Sequence, residues 1–125
     1  MKHGIGNYQW ANGSSYHGDW VQNKITGYGE YKWSNGKHYK GNWKENNMHG
    51  KGVQTWPDGK IYDGEFKDDK KEGFATYSYP DGRQYIGNWK NNKQDGEGTY
   101  RTKLDEKPRR GIWKEGKRQK WIDQE

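Results

Sequence analysis

The chain has 125 residues and a formal net charge of +6, and only 26% of its residues are hydrophobic, a share too small for a thick globular core. Eight Trp, ten Tyr and two Phe supply much of the apolar surface, so the composition favours a thin structure built on aromatic side chains. The absence of cysteine excludes disulfides and thiolate metal sites and fits a reducing compartment.

No targeting or membrane-spanning segment is recognisable in the sequence. No apolar run approaches the roughly 20 residues that a helix needs to span a bilayer. Met1-Lys2-His3-Gly4 leads directly into the repeating pattern described below, without the apolar stretch of a signal peptide. We therefore expect a cytoplasmic location.

A short segment recurs every 23 residues along the chain. It is an aromatic residue followed by x-Asn-Gly or x-Asp-Gly, and the copies begin at Trp10, Trp33, Trp56 and Tyr79. Each is followed by Tyr-x-Gly-x-aromatic, and a fixed period of this size indicates a repeat array. The expected repeats are 4–26, 27–49, 50–72, 73–95 and a divergent 96–118, with 119–125 as a C-terminal cap or tail.

Each repeat is predicted to form a β-hairpin, because aromatic residues alternate with polar ones on both sides of the Asn-Gly segment. A two-residue loop would divide the aromatics between the two faces. A three-residue loop instead pairs Tyr8 with Tyr16 and Gly6 with Gly18, and collects aromatics and glycines on one face. Glycine on that face would leave a flat floor on which a neighbouring ring can lie.

The hairpins are expected to follow one another as a meander, joined by six polar residues such as 44–49 and 90–95. The face opposite the aromatics is mostly polar, as in a sheet with one packed and one solvated side. The predicted fold class is therefore all-β: an elongated, single-layer, twisted antiparallel sheet of successive β-hairpins.

The last repeat departs from the pattern and is basic. Arg109 takes the tyrosine position one residue late, and Trp121 and Ile122 are expected to complete a terminal cap. Residues 101–121 carry nine basic side chains against three acidic ones.

The segments Tyr39-Lys40-Gly41-Asn42-Trp43, His49-Gly50-Lys51-Gly52 and Asp58-Gly59 closely resemble the MORN repeat (membrane occupation and recognition nexus), as do their counterparts in the other repeats. The resemblance covers residues 4 to about 100 strongly and 101–116 loosely. It implies the single-layer sheet of hairpins and mostly non-catalytic roles. Members are scaffolds in cytoskeletal, ciliary and junctional assemblies, and anionic-lipid binding has been proposed for the family.

Other chemical signals are weak. The Gly-x-Gly pairs precede strands rather than a helix N-terminus, which argues against a phosphate loop. The histidines at 3, 17, 38 and 49 show no metal-ligand spacing, and no cofactor is expected. Asp68 and Asp69 are interpreted as a solvated charge run in a linker. The rings could stack on bases, but they are the only core available, which favours packing over nucleic-acid binding.

We therefore expect a non-enzymatic scaffold that binds a helix or extended segment of a protein along its aromatic groove, in a cytoskeletal, ciliary or other large assembly. The candidate groove residues are Tyr16, Trp20, Tyr39, Trp43, Tyr62, Phe66, Tyr85 and Trp89. The alternative is peripheral binding to anionic, phosphoinositide-type membranes through the basic end. That end could also be a solvated cap or dock on an acidic protein. Its candidate residues are Lys107, Arg109, Arg110, Lys114, Lys117, Arg118 and Lys120. Unpaired sheet edges leave self-association as a third possibility.

Overall fold

A computed structural model of the chain describes residues 4–102 and 107–122. In those residues, eleven strands form one open antiparallel sheet in which each strand lies beside the next along the chain. The strands are β1 (Gly4–Gln9), β2 (Ser15–Val21), β3 (Lys24–Lys32), β4 (His38–Lys44), β5 (Asn47–Thr55), β6 (Ile61–Lys67), β7 (Lys70–Ser78), β8 (Gln84–Lys90), β9 (Lys93–Arg101), β10 (Arg109–Lys114) and β11 (Lys117–Trp121). The predicted fold class is confirmed. The described residues contain no helix that is long and apolar enough to cross a membrane.

The sheet is extended because contacts run mainly between neighbouring strands. Neighbouring strands lie ~4.8 Å apart, so eleven of them extend over roughly 50 Å. Each repeat therefore depends on the repeats beside it for burial of its aromatic face.

The three-residue hairpin loops are confirmed. In the first repeat, Tyr8 pairs with Tyr16 and Gly6 with Gly18, as the parity argument predicts. The backbone N–H of Trp10 donates to the oxygen of Ser14 at 2.9 Å, which closes the loop. The side chain before each loop glycine is an acceptor in the turn: Asp58 accepts from the N–H of Lys60 at 3.1 Å. That bond, with smaller contributions from the Lys60 side chain, holds the pKa of Asp58 below its usual value.

The predicted six-residue linkers between hairpins are wrong. Between β4 and β5 the connection is only two residues, Glu45 and Asn46, because Lys44 still pairs with Asn47. Both turn residues have positive φ, 46° and 71°, as a type I′ turn requires. Asn and Asp tolerate this conformation, so polar pairs make these turns without glycine. The polarity of 44–49 reflects strand ends near solvent rather than a loop.

A bulge interrupts each strand that follows such a turn. Between β6 and β7 the pairing jumps from Gly64–Ala75 to Phe66–Lys71, so β7 carries extra residues. The carboxylate of Glu65 accepts from the N–H of Phe74 at 2.8 Å and so satisfies a donor that the ladder leaves unpaired. Asp19 does the same for Tyr28 at 2.9 Å.

A row of nine glycines and one alanine crosses the sheet at one register. From β1 to β10 its members are Gly6, Gly18, Gly29, Gly41, Gly52, Gly64, Ala75, Gly87, Gly98 and Gly111. Neighbouring members approach so closely that a Cβ on Gly41 would overlap the Cα of Gly52. A Cβ on Gly29 would overlap the ring of Tyr16, so the predicted glycine floor beneath the rings is confirmed.

Candidate functional site

The eight predicted groove residues form the core of the sheet. Their exposed fractions run from 0 to 7%, and the four tyrosines among them are the largest fully buried side chains of the described residues. We define this set as the inner row: Tyr16, Trp20, Tyr39, Trp43, Tyr62, Phe66, Tyr85 and Trp89. In this conformation they offer little surface to a partner, and their role in binding stays a prediction.

Each inner-row tyrosine is locked from two sides. The ring of Tyr39 meets Trp43 of its own repeat and Phe66 of the next edge-on, with both pairs of ring centroids 5.0 Å apart. Its hydroxyl donates to the backbone oxygen of Asn42 at 2.8 Å. The same arrangement recurs at Tyr62, whose hydroxyl donates to the oxygen of Glu65 at 2.6 Å. Edge-on ring pairs and satisfied hydroxyls make this row a continuous packed core.

Burial changes the acidity of these phenols. Desolvation raises the pKa of Tyr16 to about 12, with the Asp19 carboxylate adding to the effect. It raises the pKa of Tyr85 to about 12, against a smaller opposing effect of the hydrogen bond to Asn88. Desolvation also raises the pKa values of Tyr39 and Tyr62. All four are therefore neutral hydrogen-bond donors at physiological pH.

A second set of rings, the outer row, lies on the same face and is only partly buried. Its members, packed against the inner row or against one another, are Tyr8, Trp10, Tyr31, Trp33, Trp56, Tyr77, Tyr79 and Tyr100. The sequence-based groove set did not include them. Each stands two or four residues before the Asn or Asp of a loop, or at the equivalent place in the last repeat, and that spacing is the signal that could have identified them.

The outer row is interrupted in the third repeat, where buried Gln54 takes the position that Tyr31 and Tyr77 hold in the neighbouring repeats. Up to this interruption the rings are close together, with Tyr31 4.6 Å from Trp33 and 5.3 Å from Trp10. The row therefore divides into two aromatic clusters. The first contains Tyr8, Trp10, Tyr31 and Trp33, and the second contains Trp56, Tyr77, Tyr79 and Tyr100.

The first cluster forms one wall of an open groove of about 660 Å³ over β1 to β7. Its lining residues are Tyr8, Trp10, Trp20, Asn23, Ile25, Tyr31, Trp33, Trp43, Asn46, Met48 and Asp69. Two of the predicted groove residues, Trp20 and Trp43, contribute to this lining, and the other six do not.

The two-residue turns form the other wall, and each is hydrogen-bonded to the strand that follows the preceding turn. Asn46 donates its N–H to the oxygen of Ile25 at 2.8 Å and accepts from the N–H of Ile25 at 2.8 Å. Asp69 makes the same pair of bonds to Met48, at 2.9 and 2.7 Å. Asp69 is exposed, as expected of a solvated charge, but it lies in a two-residue turn rather than in a linker, and its carboxylate also satisfies the strand N–H of Met48.

Two lysines outside the groove lining lie over aromatic rings. The Lys37 ammonium lies 4.7 Å from the ring centroid of Trp33. Lys71 lies over three rings, 5.0 Å from Trp56, 5.6 Å from Tyr62 and 5.9 Å from Trp89. Such distances are favourable for cation–π attraction. Desolvation, followed by the charge of Lys37, lowers the pKa of Lys71.

The basic candidates do not form one patch. Arg109 and Arg118 lie on the aromatic face, 4.1 and 4.5 Å from the ring centroid of Trp121. Arg110 is paired with Glu97 at 2.7 Å. The strand register places Lys114, Lys117 and Lys120 together on the opposite face, because Lys114 pairs with Lys117 and Lys120 with Ile112. Lys107 is exposed and lies outside the strands.

The described residues contain no group of three or more His, Asp or Glu side chains arranged to hold a metal ion. His3 lies outside them. His49 contacts the turn residue Asp68, with its Nδ1 3.4 Å from the N–H and 3.8 Å from the carboxylate. His17 pairs with the side chain of Asn7. These contacts give both histidines a structural explanation.

The family model described as MORN repeat matches residues 1–15, 16–38, 39–61, 62–82 and 85–102. The last four of its segments begin at the buried tyrosines, whereas the predicted repeats begin at the glycine pairs. Beyond residue 102 the model does not match, although β10 and β11 continue the antiparallel pattern. None of the curated proteins compared with the chain matches it significantly. Repeats of this type generally bind proteins or membranes. The chain belongs to the MORN-repeat family.

Proposed function

We propose that this chain is a non-catalytic binding module that holds a helix or an extended segment of a protein partner in its aromatic groove. The observation that carries the proposal is the open groove of about 660 Å³, walled by partly buried Trp and Tyr side chains. As a small adaptor in a cytoskeletal, ciliary or other large cytoplasmic assembly, it would present this surface along its length.

The chemistry of the walls supports a protein ligand. Exposed aromatic clusters on a monomer mark interaction sites, and Trp and Tyr are enriched among the residues that dominate binding energy. Trp10, Trp33 and Tyr31 pack on one another, so they would enter a complex with little loss of side-chain entropy. The amide and carboxylate groups of the opposite wall are engaged with backbone, which leaves the rings as the main contact surface.

Selection from a displayed random-peptide library on the immobilised full chain tests the proposal. We expect enriched peptides to bind wild type and to lose binding in Trp33→Ala, which removes a groove ring. The matched control is Phe74→Ala, which removes a ring that is 56% exposed on the opposite face. Equal loss in both variants, or enrichment of no peptide sensitive to Trp33, would contradict the proposal.

A second candidate is binding to an anionic membrane through the basic end. The observation that favours it is the placement of Lys114, Lys117 and Lys120 on one face of β10 and β11. Each lysine near an anionic surface contributes on the order of 1 kcal/mol.

A further inference from the structure

We propose that the segment bound in the groove carries a carboxylate beside its apolar side chains, and that Lys71 recognises this carboxylate at one end of the groove, with Lys37 beside it. The inference rests on the proposed function, because it names the chemistry of the partner at that same site. Three features of the described residues lead to it.

The first feature is the position of Lys71. One position per repeat is the second residue of the strand that follows each of the first four two-residue turns, and its occupants are Ile25, Met48, Lys71 and Gln94. Ile25 and Met48 are buried and line the groove. Lys71 is the next member, two residues after the lining residue Asp69. The apolar floor of the groove therefore ends at a lysine.

The second feature is the missing counter-ion. Among the residues the structure describes, neither Lys71 nor Lys37 has a carboxylate within ion-pairing distance. Lys71 is partly desolvated over three rings, and Lys37, another cation, acts on it electrostatically. A partly buried cation with a like charge beside it is stabilised by an incoming anion.

The third feature is the charge of the groove itself, which favours a segment with one carboxylate over a polyanion. Its lining contains no Lys or Arg and includes one acid, Asp69. A nucleic-acid strand would need cations along its whole path, since phosphate contacts supply most of its affinity. A partner segment that places apolar side chains over Ile25 and Met48, and a carboxylate at the Lys71 end, would match this surface.

The experiment compares peptide selections on the full wild-type chain and on Lys71→Met. Met is the residue that the preceding repeat carries at this position, so the variant keeps a side chain that the fold already accepts. We expect Glu or Asp beside apolar residues in peptides selected on wild type, and loss of that acidic preference on Lys71→Met. Lys70→Met, which removes an equal charge at the exposed neighbouring residue, is the matched control.

A double-mutant cycle on one selected peptide then measures the contact. Changing its acidic residue to the amide should weaken binding to wild type by about tenfold or more, and should change binding to Lys71→Met by much less. Lys71→Arg should retain most of the affinity. Thermal melts of each variant confirm that the fold is intact.

The outcomes separate this inference from the proposed function. Peptides that need Trp33 but show no acidic preference, or that bind Lys71→Met as tightly as wild type, overturn the carboxylate inference and leave groove binding standing. Failure to select any peptide sensitive to Trp33 overturns both. Binding of a single-stranded oligonucleotide that depends on Lys71, without peptide binding, also overturns the inference.

Discussion

The ring of Tyr39 occupies the space that a side chain on Gly52 would need. A Cβ built on Gly52 overlaps the hydroxyl, Cζ and Cε1 atoms of Tyr39, and that ring is completely buried between Trp43 and Phe66. Glycine at this register is thus a packing requirement, independent of its backbone freedom.

We expect Gly52→Ala to lower the free energy of unfolding by about 1–3 kcal/mol, as overpacking of a closed core does. Complete failure to fold is not expected, because the next repeat carries Ala75 at the equivalent position. The control is Gly6→Ala in the edge strand, where the nearest atoms to a Cβ are 3.5 Å away and belong to Trp20. Urea denaturation should show a much smaller change for Gly6→Ala, and equal effects would contradict the overlap argument.

The bonds between Asn46 and Ile25 predict a graded effect of substitution. Asn46→Gly keeps the positive φ but removes the acceptor for the Ile25 N–H, so it should cost about 1 kcal/mol or more. Asn46→Ala should cost more, since alanine disfavours the left-handed region. Gly116, at the equivalent place in the last turn, keeps only the backbone bond, to Gln94 at 2.8 Å. If chemical denaturation gives Asn46→Gly the same free energy of unfolding as wild type, the side-chain bond to Ile25 contributes nothing to stability.

The hairpin register can be read from the sequence, whereas the two-residue turns cannot. Only one loop length places Tyr8 and Tyr16 on the same face, so parity alone determines the pairing. The turn at Glu45 and Asn46 lacks the glycine that normally signals a type I′ turn, and its polar flanks resemble a linker. The local sequence does not predict this turn, because the turn depends on tertiary hydrogen bonds between Asn46 and Ile25 in β3.

The alternation of aromatic and polar residues does not by itself predict which rings are buried. Inner-row and outer-row aromatics share one face and one period, so alternation cannot separate them. Tyr39 is buried because rings of two repeats close on it, while Trp33 lies at the strand end beside its loop and is only partly buried. At the basic end, sequence alternation would place Arg118 and Lys120 on the same face, because they are two residues apart. An irregularity in the pairing of β10 with β11 places them on opposite faces instead.

The buried tyrosines predict a loss of stability at alkaline pH. The pKa values of Tyr16 and Tyr85 are raised from 10.0 to about 12 by burial. Each folded-state pKa lies above the unfolded value, so the contribution of these groups is fully present below pH 10 and is lost as pH rises through about 12.

We expect the free energy of unfolding to fall steeply across that interval, with phenolate absorbance rising in the same transition. The control is Tyr85→Phe, which removes one titrating group. This variant should be less stable than wild type at neutral pH, because the hydrogen bond to Asn88 is lost. Between pH 10 and about pH 12, however, its free energy of unfolding should fall by less than that of wild type. Phenolate absorbance that rises fully near pH 10 while circular dichroism stays native would contradict the burial effect.

The membrane candidate predicts that one face of the basic end carries the binding. A vesicle surface is flat on the scale of this sheet, so it contacts one face of β10 and β11 at a time. Changing Lys114, Lys117 and Lys120 to Gln should remove roughly 3 kcal/mol of attraction, which would abolish co-sedimentation with phosphatidylserine vesicles at low salt. Changing Arg109 and Arg118 to Gln should have a smaller effect, because those guanidiniums lie over Trp121 on the other face.

Salt dependence completes this test. Exposed charges are screened within about 8 Å at physiological ionic strength, so wild-type binding carried by lysines alone should weaken sharply between low and physiological salt. If wild type binds vesicles at neither salt, the membrane candidate is discarded and the groove becomes the remaining binding surface. If the arginine variant loses binding while the lysine variant retains it, the aromatic face with Trp121 is the membrane contact. Membrane and peptide would then be expected to compete for that face, and adding a groove-binding peptide to the sedimentation assay would show it.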